Sequence, residues 1–498
     1  MKKYKLIIIM LIGIVTINSC DTKDLELANP GALSPETYFA NETQVEASVN
    51  AAYANLQTVA LYGRLIWYMM DNMSHEQGVN GQIEGDKITF YDFSFDSTNT
   101  QIEEYWDSCF RGVNKANFVI GNIDRINEIS DSELPAARKR KYIGEARFLR
   151  ALYYFMLVNR FGDVPLRNGD FSQPEGKPIS PKADVVAQII EDLEYASNNL
   201  LNKSVEQAGR ATKGAAQALL GKVLLYEKRY GEALTSFNKM SGYDLETNYY
   251  DNFKEETEHG IESVFDVEYD LSLGTGDKWG GNVGGSGQNH ATFRGQDYGV
   301  LDWFNTYPSD DLVAEYEPGD NRFSANFYVH GDTYNDGNNV LVAGNFEENG
   351  GNIRAIAWKK YQNYYKQTSE NQESGINAKV IRYSDVLLMM AECINEVGTQ
   401  EDAVDLINRV RRRASLGNLP RTTLSKEQVF DAIVHERKVE LPGEQVRFDD
   451  LLRWGKAGSF LSSVGASFQV GKNELWPIPD KEIATNPNVG VEDQNPGF

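Results

Sequence analysis

Two segments of this sequence repeat one spacing of apolar residues. The spacing consists of a small residue, a second small residue twelve positions later and a bulky apolar residue four positions beyond that. It occurs as Gly221, Ala233 and Phe237, and again as Ala391, Ala403 and Ile407. Small side chains let two helices approach closely, and a bulky one fills the groove between them. Each segment is therefore predicted to be a pair of tightly packed helices.

Apolar residues at intervals of three and four predict further long helices in the first half of the chain. One is expected from Ile102 to Ile126, and a second from near Ser132 to the stop at Gly162. A third follows Ser180-Pro181. Because the repeated spacing is that of tetratricopeptide pairs, we expect a mainly α fold in which such pairs form a right-handed superhelical scaffold.

The chain between the two repeats has a different character. Residues 268–370 contain 15 glycines and 17 aromatic residues and show little helical periodicity. We expect a loop-rich insertion there, with short strands near 261–269 and 353–361. Long irregular insertions in compact domains are usually functional or mobile. Within one domain, 20–498, the predicted parts are an N-terminal helical part at about 42–250, the insertion at about 268–370, and a C-terminal helical part and tail at about 380–498.

The first twenty residues have the layout of a bacterial secretory leader. A cationic start precedes an apolar run from Leu6 to Ile17, which is too short to span a bilayer about 30 Å thick. Ser19 before Cys20 resembles a lipobox, in which the cysteine thiol is lipidated and becomes the new N terminus. We predict a signal peptide at residues 1–19 and lipidation of Cys20. Ordinary cleavage, with Cys20 an incidental thiol, is the alternative.

Charge and cysteine content exclude several classes of protein. With a formal net charge of −23, the chain repels a phosphate backbone, so nucleic acid is not an expected ligand. Cys109 and Cys393 are too few for a disulfide framework, and whether they pair is open. The histidines do not occur at the spacing of metal ligands, and no phosphate loop or nucleophile elbow is complete. We predict no cofactor, no metal site and no catalytic residues.

The insertion has the composition of a carbohydrate-binding surface. Its aromatic residues lie beside Asn, Asp, Gln and Arg. Flat rings offer an apolar face to a sugar, while planar polar groups can meet its hydroxyls. Such a surface would bind carbohydrate without catalysis. A glycosidase needs only two carboxylates about 5 to 10 Å apart, and the sequence neither locates nor excludes such a pair.

Several stretches of the chain together form a recognisable sequence signature. The first of these runs from Gly144 to Leu166. The others are Arg382–Asp385 with Ala391-Glu392, His435–Arg437 with Glu440-Leu441, Arg447–Leu451 with Arg453–Gly455, and the ending Trp476–Pro479 to Gln494–Phe498. Together these stretches resemble the signature of SusD/RagB-type lipoproteins of Bacteroidetes outer membranes, and the resemblance covers essentially the whole chain.

This resemblance implies a function at the cell surface. It implies a lipid-anchored outer-membrane protein that captures oligosaccharides and delivers them to a SusC-like TonB-dependent transporter, without enzymatic activity. Two alternatives stay open. One is a secreted glycoside hydrolase, and the other is a protein-interaction scaffold that uses the concave groove of its helix pairs.

Candidate glycan-binding residues come from two sources. Phe95 lies eleven residues before Trp106, where a platform aromatic occurs in some members of the family, and Asn99 and Asp71 are candidates for polar contacts. The setting of the insertion alone adds Trp279, Trp303 and Tyr334.

The signature motifs themselves are interpreted as structural. Their charged residues alternate in sign at helical intervals: Arg437, Glu440, Arg447, Asp450 and Arg453. This pattern predicts a partly buried ion-pair network that fixes the packing of the last helices.

Overall fold

The computed structural model describes residues 38–169, 176–274 and 290–498. The predicted signal peptide, Cys20 and Trp279 lie outside these ranges. Within the ranges, none of the helices combines the length and the apolar character that a membrane span requires.

Helices form most of the described chain, which confirms the predicted mainly α fold. The N-terminal helices are α1 Glu42–Ala54, α2 Leu65–Ser74, α3 Gly85–Tyr91, α4 Thr100–Ile120, α5 Ile123–Glu128, α6 Ala136–Phe161, α7 Lys182–Asn199, α8 Lys213–Tyr226 and α9 Tyr230–Phe237. Those that follow are α10 Arg294–Tyr298, α11 Asp310–Ala314, α12 Asn321–Asn326, α13 Tyr383–Val397, α14 Gln400–Arg413, α15 Lys426–Glu440, α16 Arg447–Arg453, α17 Ala457–Ser463 and α18 Asp480–Thr485.

Short strands lie mainly in the insertion and at its edges. They are β1 Gln77–Val79, β2 Val164–Pro165, β3 Ile179–Ser180, β4 Ser263–Val267, β5 Thr306–Pro308, β6 Phe327–Val329, β7 Thr333–Tyr334, β8 Asn339–Val340, β9 Ile356–Trp358 and β10 Ala378–Arg382. They form antiparallel pairs, β1 with β5, β2 with β3, β4 with β10, β6 with β9, and β7 with β8. The strands expected near 261–269 and 353–361 are β4 and β9.

Both predicted helix pairs are present, as α8–α9 and α13–α14. Gly221 of α8 shows why the first pair needs a small residue, since a Cβ atom there would overlap the Phe237 ring of α9. In the second pair Ala391, Ala403 and Ile407 are completely buried. The close approach of α8 and α9 therefore depends on side-chain size, and the corresponding residues of α13 and α14 lie in the core.

The prediction of a single helix from Ile102 to Ile126 is wrong, because the helix is interrupted between α4 and α5. Gly121 follows the last residue of α4 and weakens helix propensity there. The Asn122 side chain donates to the Phe118 carbonyl at 2.8 Å and so satisfies an end group of α4. The helical repeat of apolar residues continues across this break.

Four residues of the predicted ion-pair network form ion pairs that are more deeply buried than expected, namely Arg437, Glu440, Asp450 and Arg453. Arg447 forms no ion pair with a described residue, and its Nη1 donates to the Val434 carbonyl at 3.5 Å. Arg437 of α15 pairs with Asp385 of α13 and Asp450 of α16, and Lys222 of α8 also pairs with Asp385. A second centre is Glu440, which pairs with three arginines, Arg322, Arg382 and Arg413. These contacts tie α8, α13, α15 and α16 together.

The apolar core includes residues from every part of the chain. Trp67 of α2, Leu220 of α8, Phe327 of β6, Met389 of α13 and Trp476 belong to one buried cluster. Cys109 and Cys393 are buried and unpaired, which settles the question that their spacing left open.

Candidate functional site

Three loop segments come together beside the β1–β5 pair. They are residues 80–92, 302–308 and 347–354, which we call the loop face. Antiparallel pairing of β1 with β5 places the first segment alongside the second. The helix α3 forms part of the first segment, and the third segment precedes β9.

Specific hydrogen bonds hold these segments together. The backbone N–H of Asn80 donates to the backbone carbonyl of Asn305 at 2.8 Å, and Gln82 Nε2 donates to the backbone carbonyl of Trp303. Gly81 faces the third segment, because a Cβ atom at Gly81 would lie 3.8 Å from the Asn349 carbonyl oxygen. The loop face is therefore built by contacts between residues that are distant in sequence.

Two aromatic rings on the loop face are partly exposed and backed by a planar group. The Arg64 guanidinium lies 5.4 Å from the centroid of the Trp303 ring. The His75 imidazole stacks on Tyr91 with centroids 4.2 Å apart and an interplanar angle of 19°. Because each ring is supported from one side, its orientation is restricted before any ligand arrives.

A third ring, that of Tyr307, is closely packed against an arginine and a glycine. The Arg354 guanidinium lies 3.6 Å from the Tyr307 centroid and donates to Tyr307 Oη. Gly78 is the partner of Tyr307 in the β1–β5 pair, and a Cβ atom at Gly78 would overlap the same ring. Arg354 also pairs with Glu348. Both Tyr307 and Arg354 are partly exposed, so the ring and the guanidinium together form part of the loop face.

Arg64 joins the parts of the molecule that carry the loop face. Its guanidinium makes a bidentate contact with Asp297 of α10, at 2.9 and 2.8 Å, and a contact with Glu84 at 3.0 Å. Burial opposes the charge on Arg64, but Asp297 outweighs burial and raises the pKa of the guanidinium. Burial lowers the pKa of the neighbouring Lys87 to about 8, and Lys87 also pairs with Glu84.

Two of the expected ligand-binding residues lie at or next to this surface. Trp303 is on the loop face itself. Tyr334 of β7 is partly exposed and packs on the small apolar core that also supports Tyr307. Trp279 is outside the described residues, and its role stays a prediction.

The expectation that Phe95 is a platform aromatic is wrong, because the ring is buried. Only 2% of Phe95 is exposed. Its ring stacks on Phe498 with centroids 5.9 Å apart and on Phe90 with centroids 5.5 Å apart. The ring is thus a core residue that attaches the C-terminal tail.

Asp71 is also buried and cannot meet a ligand, so this expectation is wrong as well. It is 1% exposed and accepts hydrogen bonds from Tyr298 Oη at 3.0 Å and Gln445 Nε2 at 3.2 Å. Burial raises the pKa of this carboxyl above its usual value, against the opposing effect of Arg294.

Asn99 has a structural role as the N-cap of α4. Its Oδ1 accepts hydrogen bonds from the backbone N–H groups of Gln101 and Ile102, and its Nδ2 donates to Thr89 Oγ1 at 3.1 Å. These contacts account for both polar ends of the side chain.

Sequence reasoning did not identify Tyr91 and Tyr307. It also missed the arginines that contact the Trp303 and Tyr307 rings, Arg64 and Arg354. Tyr307 lies four residues after Trp303, in the same loop, and this proximity was a usable signal. Arg64 and Arg354 gave no such signal, because each is far from the ring that it contacts.

The structure also bears on catalysis and metal binding. Burial raises the pKa of Glu76, Glu258, Glu268 and Glu370 to about 8, as a general acid requires, but these residues are outside the loop face. In the part of the chain that the structure describes, no group of three or more His, Cys, Asp or Glu side chains could hold a metal ion.

Comparison with known proteins identifies similar chains. The family model described as "SusD family" matches residues 235–462, and the model described as "Starch-binding associating with outer membrane" matches residues 25–225. Together the two models match most of the chain.

Similarity to individual proteins extends over nearly the full length. The SusD-like protein P2 of Formosa agariphila is 28% identical over 531 aligned positions, which cover 100% of each chain. A SusD superfamily protein from Bacteroides vulgatus is 26% identical, with a TM-score of 0.78 over 93% of this chain and 100% of that chain. A laminarin-binding SusD-like protein is 26% identical, with a TM-score of 0.74 over 92% of this chain and 100% of that chain.

Proposed function

Because this chain belongs to the SusD family, we propose that it is a glycan-binding protein of the outer-membrane surface. Two comparisons support this proposal. One family model describes starch binding in association with the outer membrane. A solved protein with the same fold along nearly the whole chain binds laminarin.

We propose the loop face as the glycan-binding surface. The observation that carries this assignment is the pair of partly exposed rings, Trp303 and Tyr91, each supported by a planar group on one face. A pyranose presents C–H groups on its faces and hydroxyls around its edge. It can therefore stack on these rings while Gln82, Glu84 and Arg354 approach its hydroxyls. This surface binds sugar without breaking a bond.

The binding assignment is tested by isothermal titration with laminarin oligosaccharides and a panel of other glycans. Trp303→Ala and Tyr91→Ala are each expected to weaken binding at least tenfold, or about 1.4 kcal/mol. Tyr195→Ala is the matched control, because Tyr195 is also partly exposed and backed by an arginine, Arg147, but lies in α7. Unchanged affinity in both loop-face variants would show that the glycan does not bind at this surface.

The proposal includes attachment and a partner, which the family resemblance implies. Lipidation of Cys20 would anchor the chain, and a SusC-like TonB-dependent transporter would receive the oligosaccharide. Cys20→Ser is expected to release the protein from membranes, and the wild type is expected to co-purify with a large outer-membrane protein. Retention of the Cys20→Ser variant on membranes would contradict the anchor.

Catalysis is the alternative that the same rings would suit. A secreted glycoside hydrolase would convert the glycan that it binds. We therefore expect intact oligosaccharides after prolonged incubation with the purified protein, as measured by chromatography of the products. Turnover would favour the hydrolase. Binding to a peptide or protein in the helical groove, without glycan binding, would favour the interaction scaffold.

A further inference from the structure

We infer that the loop face selects uncharged glycans and rejects glycans that carry carboxylate or sulfate groups. This inference rests on the proposed function, and it adds the chemical class of the ligand. It follows from where the positive and negative charges of this surface lie.

Every cation of the loop face already has an acidic partner. Lys87 and Arg354 are the basic residues of its three segments. Lys87 pairs with Glu84 and its side chain is 2% exposed, while Arg354 pairs with Glu348 and donates to Tyr307 Oη. An anionic sugar would have to displace one of these carboxylates to gain a counter-charge.

The cation next to the Trp303 ring, Arg64, is likewise paired with acidic residues. Arg64 is buried and binds Asp297 with two of its nitrogens, and one of these nitrogens also contacts Glu84. His75, behind Tyr91, adds no positive charge near neutral pH, because burial lowers the pKa of its imidazole below the usual value. Neither Arg64 nor His75 therefore supplies an anion-binding group.

Acidic side chains outnumber the basic ones and are more exposed. The three segments hold six acids against two bases. Four of these acids are exposed to solvent, namely Glu84, Asp86, Asp92 and Glu347. The surface therefore repels a carboxylate or a sulfate, and the net charge of −23 on the whole chain acts in the same direction.

The same carboxylates favour a neutral sugar. A hydroxyl group can donate to an exposed carboxylate, and such charge-assisted hydrogen bonds are stronger than those between neutral groups. A sulfate or a uronate, by contrast, would lose hydration without gaining an unpaired cation. The loop face thus selects against charged glycans because its cations are paired with acids, whereas carboxylates are exposed on its surface.

The inference is tested with oligosaccharides matched in length, one set neutral, one of uronic acids and one sulfated. Isothermal titration at about 20 mM and about 200 mM NaCl separates electrostatic from other contributions. We expect a neutral β-glucan oligosaccharide to bind with an affinity that changes less than about twofold with salt. The charged sets are expected to bind at least about tenfold more weakly at the lower salt concentration.

A charge-reversal variant tests the cause directly. Asp92→Lys combined with Glu347→Lys places unpaired cations on the loop face, and the ratio of neutral to charged affinity is expected to fall at least about tenfold. Glu128→Lys combined with Asp431→Lys is the matched control, because both residues are exposed and belong to α5 and α15, outside the three segments of the loop face. The control should keep the wild-type ratio.

The possible failures are distinguishable. Tight binding of a uronate or sulfated oligosaccharide by the wild type would overturn the inference and leave the proposed function in place. An unchanged ratio in the Asp92→Lys, Glu347→Lys variant would also overturn it. Binding of neither the neutral nor the charged sets would overturn the proposed function, and this inference with it.

Discussion

The Arg64 guanidinium lies 5.4 Å from the Trp303 ring and at the same time holds Asp297 and Glu84. One side chain therefore supports a ring of the loop face and links α10 to the first segment of that face. A guanidinium suits this position because it is flat enough to lie against a ring and carries several donors in a fixed arrangement. Rigid support of this kind reduces the ordering cost of binding.

Arg64→Lys tests the importance of this geometry. The lysine keeps the charge but loses the bidentate contact with Asp297, so we expect a loss of about 1 to 2 kcal/mol in the free energy of unfolding. Arg64→Ala leaves Asp297 buried without a partner and is expected to cost about 3 to 5 kcal/mol. Urea unfolding measures both effects. An Arg64→Lys variant as stable as the wild type would show that the fork geometry contributes nothing.

Phe95→Ala separates a core role from a ligand-binding role. Because the ring is buried against Phe90 and Phe498, its loss should reduce the free energy of unfolding by about 3 to 5 kcal/mol. The glycan affinity of the folded protein should be that of the wild type, as measured by titration well below the unfolding temperature. Phe95→Leu should be less destabilising. A strong loss of affinity at unchanged stability would instead restore Phe95 as a ligand contact.

Gly221→Ala tests the close approach of α8 and α9. The added Cβ would overlap the Phe237 ring, and we expect a loss of about 1 to 3 kcal/mol in the free energy of unfolding. Gly231→Ala is the matched control, since Gly231 is also helical but a Cβ there has no neighbour within 4 Å. That control should be stabilised by up to about 1 kcal/mol. Thermal unfolding distinguishes the pair, and similar shifts in both would contradict the packing argument.

Glu370→Gln is expected to flatten the dependence of stability on pH. Burial raises the pKa of Glu370 from 4.5 to about 8, with Asp302 acting in the same direction. The folded state therefore keeps a proton that the unfolded state releases, and this contribution to stability is fully present below about pH 4.5 and lost as the pH rises through about 8. The free energy of unfolding of the variant, taken relative to that of the wild type, should therefore rise by at least about 1 kcal/mol between pH 5 and pH 8.5.

Urea unfolding at several pH values measures this effect. Glu128→Gln, at an exposed position, is the control and should reproduce the wild-type profile. A Glu370→Gln profile parallel to that of the wild type would show that Glu370 does not retain its proton in the folded state.

Much of the scaffold was readable from the sequence. The spacing of Gly221, Ala233 and Phe237 predicted a helix pair because helical contacts recur at short, regular intervals along the chain. The alternating charges from Arg437 to Arg453 predicted an ion-pair network for the same reason. The break after Gly121 was missed, since the helical period of the apolar residues persists through it.

Burial and the meeting of loops were decided by the tertiary structure. Phe95 and Asp71 have residue types suited to binding a sugar, yet packing against the C-terminal tail and against Tyr298 places them in the interior. Trp303, Tyr91 and Arg354 lie in separate segments, and only the folded chain brings them to one surface. Periodicity reports which side of its own element a residue occupies. It carries no information on which distant element will cover that side, because this depends on the packing of the whole chain.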